Sequence, residues 1–309
     1  MKECHGGESM DFGSIDVKKE FEFYDRVAPR QTTKVMGKDF TYRYYRNPNP
    51  KVNATILMLA GGSGLGDAFA GMGRAFTDRY SMINFNYPES FKDNVSMSDA
   101  IAELITILKA ENVYLWGQSY GGALAQIIAK RHPEQVSGLI LTSTASMVGN
   151  LKYDGMKCLV EMFDQEKEEK NIKKYKKLPM SILPGLLNMA FKLKMKDNPD
   201  GQAAVKAFIN YLKPDLTKEY FCHMTHLLGD LRNHLGTHTK DDFEFLRGHV
   251  LIIEPEDDDT FTKDVKDALI DAMPDPEVVR DITGGHLAMM FDMDNFMKTI
   301  NDFMDGQGL

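Results

Sequence analysis

Hydrophobic positions alternate between two patterns along most of the chain. Short, nearly continuous apolar runs predict strands buried on both faces, and apolar residues three or four positions apart predict helices. The strands are predicted at residues 41–46, 54–60, 81–87, 113–117, 138–146, 249–254 and 277–282. The helices are predicted between them, at residues 67–77, 99–110, 123–132, 261–273 and 295–304. This alternation predicts an α/β fold with a mostly parallel central sheet flanked by helices.

The alternation stops at about residue 147 and resumes after residue 240. The intervening residues have mostly helical patterns, interrupted by prolines, and predict a helical cap (residues 147–240) inserted into a core of residues 21–146 and 241–309. The charge-dense segment 164–177 predicts a solvated helix or linker, with binding of a membrane or an acidic partner by its lysines left open. Residues 1–20 lack periodicity and predict a mobile leader.

Composition narrows the class of protein. The 309 residues carry a net charge of -8, which disfavours nucleic acid as a partner. No apolar run reaches the length of about 18 residues that a spanning helix needs, so stable membrane insertion is not expected. The first residues contain no apolar signal segment, and the three cysteines are far apart, so we expect a cytoplasmic protein without a disulfide framework.

The strongest local motif is Gly-Gln-Ser-Tyr-Gly, with Ser119 between Gly117 and Gly121. It follows a predicted strand and precedes a predicted helix, the setting of a nucleophilic serine on a tight turn. Side chains two residues before and after such a serine would collide, so glycine is required at both positions. The helix N-terminus then offers backbone N–H groups to a developing negative charge.

A serine hydroxyl needs a base, and the base needs an acid that orients it. His286 follows the last predicted strand in the segment Gly-Gly-His. Asp257, Asp258 and Asp259 follow the preceding strand, so the candidates occur in the order serine, aspartate, histidine.

From about residue 41 to its end, the chain resembles the α/β-hydrolase fold superfamily. That family places the acid in a Gly-x-x-Asp pattern after strand seven, which implies Asp258, although Pro255 replaces the glycine and Asp257 and Asp259 remain alternatives. The resemblance places the cap after strand six. The segment after strand three, Leu-Ala-Gly-Gly-Ser-Gly, resembles the family's His-Gly-Gly-x-Gly and implies an oxyanion hole formed by the N–H groups of Gly62 and Tyr120.

The family's usual histidine in that segment is replaced by Ala60, which removes a side chain that commonly braces this loop. A fainter similarity to maspardin-like and aminopeptidase-like members extends from residue 61 to residue 143 and does not identify a substrate.

Two other chemistries fit parts of the sequence. The glycine-rich segment, with Tyr153 and Lys157, also resembles NAD(P)-dependent short-chain dehydrogenases. This alternative leaves the serine motif unexplained.

The predicted cap also contains histidines at spacings typical of metal ligands, with a cysteine beside them. They are not accompanied by a Cys pair or an HExxH motif. The cysteine is Cys222, and the histidines are His223, His226, His234 and His238.

We therefore predict a serine hydrolase that cleaves a small to medium carboxylic ester through an acyl-enzyme intermediate, without a cofactor or metal. The catalytic residues would be Ser119, His286 and Asp258. The alternatives are an amidase or peptidase of the same fold and a catalytically silent binding protein. The expected partner is a small-molecule ester or amide, and a homodimer is left open.

Overall fold

The computed structural model describes residues 16–149, 153, 156–179, 182, 185 and 199–308. Its strands are β1 (Arg30–Val35), β2 (Lys38–Tyr45), β3 (Thr55–Leu59), β4 (Ser81–Asn84), β5 (Val113–Gln118), β6 (Gly138–Thr142), β7 (Val250–Ile253) and β8 (Glu277–Val279). They form one sheet in the order β1-β2-β4-β3-β5-β6-β7-β8. β2 pairs antiparallel with β1 and β4, and the remaining pairs are parallel. The predicted mostly parallel sheet is confirmed.

Helices flank this sheet, as the apolar periodicity predicts. Together with those of the predicted cap, the helices of the described residues are α1 (Val17–Val27), α2 (Gly73–Thr77), α3 (Asn94–Leu108), α4 (Tyr120–Arg131), α5 (Met156–Met162), α6 (Gln165–Lys177), α7 (Pro199–Leu212), α8 (Lys218–Asp230), α9 (Lys263–Ala272), α10 (Ala288–Phe291) and α11 (Met293–Gly306). Every residue of β3, β5, β6 and β7 is buried, because helices cover both faces of the sheet.

The core is densest around β5. The Trp116 side chain is fully buried, and its ring lies 4.9 Å from Phe69, 5.9 Å from Phe76 and 5.7 Å from Phe296, measured between centroids. Aromatic rings at these separations add to the energy of apolar burial. The strand that leads into the Ser119 turn is therefore held rigidly.

Two elements differ from the sequence prediction. β1 was not predicted because, as an edge strand, it exposes most of its side chains and shows no apolar alternation. The two-residue turn of Met36 and Gly37, both with positive φ, joins it to β2. α3 begins at Asn94 rather than residue 99, because Asp93 forms a capping box with Ser96.

The predicted leader is wrong for residues 17–20. α1 begins at Val17, where the Asp16 side chain accepts a hydrogen bond from the Lys19 N–H, and it buries Val17, Phe21 and Tyr24. The Tyr24 hydroxyl donates to Asn84 Oδ1 at 2.6 Å, which ties the helix to β4. Residues 1–15 of the predicted leader lie outside the described residues.

The described part of the predicted cap, between β6 and β7, contains α5 to α8. The Tyr220 hydroxyl donates to the carbonyl oxygen of Gly64 at 2.6 Å, and Asn94 Nδ2 donates to that of Leu227 at 3.0 Å. These bonds hold the cap against the loops at the carboxyl ends of β3 and β4. Within the described ranges, no helix combines the length and apolarity needed to cross a membrane.

Candidate active site

Ser119 lies at the turn between β5 and α4. Its backbone has φ 53° and ψ −116°, and holding a residue other than glycine in such a region costs about 1–3 kcal/mol. The Ser119 N–H donates to the Thr142 carbonyl oxygen at 2.9 Å, and the Thr144 hydroxyl donates to the Ser119 carbonyl oxygen at 2.6 Å. These bonds to β6 and the segment after it hold the strained turn.

Both glycines of the motif are required by close backbone contacts. A β-carbon at Gly117 would lie 2.4 Å from the carbonyl oxygen of Gly121, and one at Gly121 would lie 2.0 Å from that of Leu59. No side chain fits at either position. The turn is therefore packed against the end of β3, and the serine side chain is the one that the motif presents.

His286 lies in a short 3₁₀ segment, Gly285–Leu287, after β8. Its Nε2 is 3.0 Å from Ser119 Oγ, and its Nδ1 is 2.9 Å from Asp258 Oδ2. The ring also packs edge-on against Phe261, with the centroids 5.7 Å apart. The structure thus brings Ser119, His286 and Asp258 together in one chain of hydrogen bonds.

The three adjacent aspartates have different positions. The Asp258 side chain is fully buried and, of the three, is the one that bonds to His286. Asp257 is exposed and accepts hydrogen bonds from the N–H groups of Gly284 at 2.9 Å and Gly285 at 3.0 Å. The Asp259 side chain is exposed. Asp257 therefore holds the loop that carries the histidine, while Asp258 contacts the ring.

Asp258 is held in its ionised form. Burial by itself raises the pKa of this carboxyl, but the hydrogen bond and charge of His286 and the Thr260 N–H at 2.8 Å lower the pKa below its usual value. An ionised carboxylate can only accept, so His286 Nδ1 carries the proton and Nε2 is the acceptor for the Ser119 hydroxyl.

The two predicted amide donors lie on adjacent segments. Tyr120 is the first residue of α4, so its N–H has no acceptor within the helix and lies at the positive end of the helix dipole. Gly62 is exposed in the loop after β3. Because Gly121 packs on the Leu59 carbonyl, the start of α4 and the start of that loop are in contact.

Gln118 was missed by the sequence analysis. Its Nε2 donates to the carbonyl oxygen of His286 at 3.1 Å. A β-carbon added to Gly61 would lie 2.1 Å from the Gln118 Oε1, so this side chain packs closely against Gly61. One side chain thus spans from the loop after β3 to the histidine. The only available sequence signal was its place directly before Ser119.

An apolar cavity of about 320 Å³ adjoins the site. It borders Gly61, Gly62 and Gln118, and none of the described residues that line it is charged. Its apolar walls come from both core and cap, among them Leu65, Phe69, Phe208, Leu212, Met224 and Leu228. Gln118 and Leu287, the chain neighbours of Ser119 and His286, belong to the lining, so an uncharged and largely apolar space adjoins the hydrogen-bonded site.

The cap histidines do not form a common site in the structure. His223 is buried, its ring nitrogens lack a hydrogen-bond partner among the described residues, and burial lowers its pKa to about 4. His226 Nδ1 contacts Glu168 at 2.6 Å, and the His238 ring stacks on Phe243. Across the described ranges, no three His, Cys, Asp or Glu side chains are grouped to hold a metal ion.

Solved structures similar to this chain share its fold at low identity. An enol-lactonase from Burkholderia xenovorans LB400 is 17% identical, with a TM-score of 0.69 over 89% of this chain and 100% of that chain. A thermophilic esterase from Thermogutta terrifontis is 13% identical, with a TM-score of 0.66 over 90% and 98%. A membrane phospholipase A described as a bacterial virulence factor is 16% identical, with a TM-score of 0.65 over 94% and 90%.

No curated protein matches the chain. The family model described as alpha/beta hydrolase fold matches residues 54–292, which include the serine turn, the aspartate loop and the histidine loop. This match covers well over half of the sequence and agrees with the sheet order and the predicted resemblance. The chain belongs to the alpha/beta hydrolase fold family.

Proposed function

We propose that the protein is a serine hydrolase that cleaves carboxylic esters with an apolar acyl group. The observation that carries this proposal is the hydrogen-bonded chain from Asp258 through His286 to Ser119, built on a strained turn beside an apolar cavity. A serine, a base and an orienting acid at these distances are the parts that acyl transfer needs. The names of the similar structures, an esterase, an enol-lactonase and a phospholipase A, agree with an ester substrate.

In the proposed first step, Ser119 Oγ attacks the ester carbonyl carbon while His286 Nε2 takes the hydroxyl proton. The resulting imidazolium is stabilised by Asp258, whose lowered pKa keeps it negatively charged. When the tetrahedral intermediate collapses, the carbon–oxygen bond to the alcohol breaks, and His286 gives its proton to the leaving alkoxide. The acyl group then remains on Ser119.

The negative charge on the carbonyl oxygen requires fixed donors. We assign this role to the N–H groups of Gly62 and Tyr120, which lie on the two adjacent segments beside Ser119. Loss of one such donor reduces turnover about 10²–10³-fold in related chemistry. In the second step, His286 takes a proton from water, the hydroxide attacks the acyl carbon, and Ser119 Oγ regains the proton as the acid leaves.

The cavity indicates the acyl class. Its volume of about 320 Å³ is roughly twice that of an engineered apolar cavity that binds benzene. Since the described lining carries no charge and twice the benzene-binding space corresponds to about twelve carbons, the cavity would receive a hydrocarbon of up to about twelve carbons rather than a charged or strongly polar group.

A fluorophosphonate probe tests the nucleophile directly, because it phosphonylates an activated serine. The wild-type protein should be labelled at Ser119 and should hydrolyse p-nitrophenyl esters, and Ser119→Ala should lose both reactions with its melting temperature nearly unchanged. A matched panel of esters and amides distinguishes an esterase from an amidase. A folded protein that is neither labelled nor active would contradict the proposal and favour a binding protein.

A further inference from the structure

Most of the lysines of α6 lie on one face of the helix. The residues that turn inward are Glu168, Ile172 and Tyr175, which recur at helical spacing and are buried or half-buried. At 100° per residue, the opposite face carries two acidic residues, Glu166 and, at its edge, Glu169. We call the remaining residues of that face the α6 lysine face: Lys167, Lys170, Lys173, Lys174 and Lys177.

The inward acidic group is neutralised inside the cap. Glu168 contacts both His226 and Arg232 of the cap, so it adds little negative charge to the outer surface. On the outer face, Lys173 lies 3.7 Å from Glu169, an exposed pair of small energetic value. Lys170 and Lys174 make no ion pair with any described residue.

The α6 lysine face is therefore a positive surface on a chain whose net charge is -8. From Lys167 to Lys177 it extends about 15 Å along one side of a helix. Lys218, at the start of α8, adds a further ammonium group beside the C-terminal end of α6, where its Nζ donates to the Lys176 carbonyl oxygen. The five lysines outnumber the two glutamates on this face, so its net charge is positive.

Exposed apolar side chains lie on both sides of α6 in the chain. In α5, which directly precedes it, Val160 is 62% exposed and Met162 is 44% exposed. Beyond its C-terminus, Ile182 is 41% exposed. Lysines together with exposed aliphatic side chains are the composition of helices that bind the lipid–water interface, where the lysines attract anionic headgroups and the apolar groups enter the acyl boundary.

The same helix reaches the apolar cavity. Tyr175 lines the cavity and lies between Lys174 and Lys176 in the chain. Its ring packs against Phe221 of α8, another lining residue, with centroids 5.5 Å apart. The positive surface and one wall of the cavity therefore belong to one helix.

We propose that the α6 lysine face docks the protein on an anionic lipid surface, with Val160 and Met162 entering the interface. Docking would place α6, whose inward face carries Tyr175 on the cavity wall, between the bilayer and the cavity. The binding step does not require catalysis, so it is measured independently of the proposed hydrolase activity.

Vesicle co-sedimentation tests the proposal. The vesicles contain phosphatidylcholine alone or with about one third phosphatidylserine, the latter giving the negative surface potential that attracts basic segments. Wild-type protein should bind the anionic vesicles and not the neutral ones, and binding should weaken as salt is raised. Each lysine near such a surface contributes roughly fivefold to partitioning, so Lys170→Gln/Lys174→Gln/Lys177→Gln should lower binding by at least about tenfold.

The matched control is Lys18→Gln/Lys34→Gln/Lys51→Gln, which removes the same charge from exposed sites outside the cap. It should bind like the wild type, and thermal unfolding should show that both variants are folded. Val160→Ser/Met162→Ser should bind less tightly at high salt, where the apolar contribution remains. Equal binding by the two lysine variants, or binding of polyglutamate without binding of anionic vesicles, would overturn the proposal.

Discussion

The side chain of Gln118 donates a hydrogen bond to the backbone carbonyl oxygen of His286 at 3.1 Å. The bond joins the residue before the serine to the residue that contacts the serine hydroxyl. It therefore fixes the end of β5 relative to the loop after β8, two segments separated by 168 positions in the chain. In the proposed mechanism, Gln118 positions His286 and does not itself touch the reacting atoms.

Gln118→Glu should lower kcat, and because Gln118 also lines the apolar cavity, the added charge should raise KM as well. The substitution is close in shape but presents a carboxylate oxygen to the His286 carbonyl, so the bond becomes a repulsion. A net hydrogen bond contributes about 0.5–1.5 kcal/mol, which corresponds to a loss of up to about tenfold in the ester assay. Gln135→Glu is the matched control, because Gln135 also donates through Nε2, to Thr106, on a distant surface. Equal losses in both variants would show that Gln118 has no special role.

The three adjacent aspartates should differ in their effect on turnover. Asp258→Asn removes the carboxylate that fixes the histidine tautomer and should lower kcat by about 10³–10⁴-fold. Asp257→Asn weakens the two bonds that hold the histidine loop and should cost about ten- to a hundredfold through misplacement of the ring. Asp259→Asn, on an exposed side chain, should have almost no effect.

Steady-state kinetics on one soluble ester checks this order, with circular dichroism to show that each variant is folded. If Asp259→Asn cost more than Asp258→Asn, the assignment of the orienting acid would be wrong.

The serine turn could be predicted from sequence because its constraints are local. Gly117, Ser119 and Gly121 lie within five residues, and the collisions that demand glycine involve the turn and the adjacent strand. The parallel strands were equally accessible, since burial on both faces leaves continuous apolar runs. The place of His286 and of the aspartates followed from strand order, as the carboxyl ends of parallel strands meet at one edge.

What the sequence did not reveal depends on contacts between distant segments. The choice among the aspartates is decided by burial, and the role of Gln118 is decided by a loop far away in the chain. β1 has no apolar pattern because it lies at the sheet edge. The start of α1 was not predicted because only three of its residues are buried, and they are separated by mostly polar residues.

Glu254 should make the stability of the protein depend on pH. It is fully buried, Oε1 accepts from the Thr144 N–H at 2.9 Å, and burial raises its pKa from 4.5 to about 8. Between these values the folded protein binds a proton that the unfolded chain has released. The contribution of Glu254 to the free energy of unfolding should therefore fall as pH rises from about 4.5 to about 8, by up to about 1.4 kcal/mol per pH unit.

Glu254→Gln should flatten that slope, because the amide imitates the neutral acid at every pH. The two proteins are compared by urea unfolding at several pH values between 5 and 8, a range of about three units that lies within the titration window of Glu254. Glu256→Gln is the control, since its side chain is exposed on the same segment. The same slope in wild type and Glu254→Gln would contradict a buried, neutral Glu254.

Acyl-chain preference should follow the size of the apolar cavity. Each additional buried methylene contributes about 0.8 kcal/mol, so kcat/KM for p-nitrophenyl esters should rise roughly fourfold per carbon until the cavity is filled at about twelve carbons. Longer chains should gain nothing further. The measurement is a series of saturated esters under conditions where each remains monomeric.

Leu228→Trp should move that optimum to shorter chains. Leu228 lines the cavity from α8, and its Cδ1 lies 3.5 Å from where a β-carbon of Gly62 would be, so a larger ring would fill the space beside the predicted oxyanion loop. Turnover of acetate and propionate esters should survive, because the added bulk excludes the chain end and leaves Ser119 free. Ile107→Trp, on the exposed face of α3, is the matched control and should keep the wild-type profile. An optimum that stays the same in Leu228→Trp would mean that the acyl group binds outside this cavity.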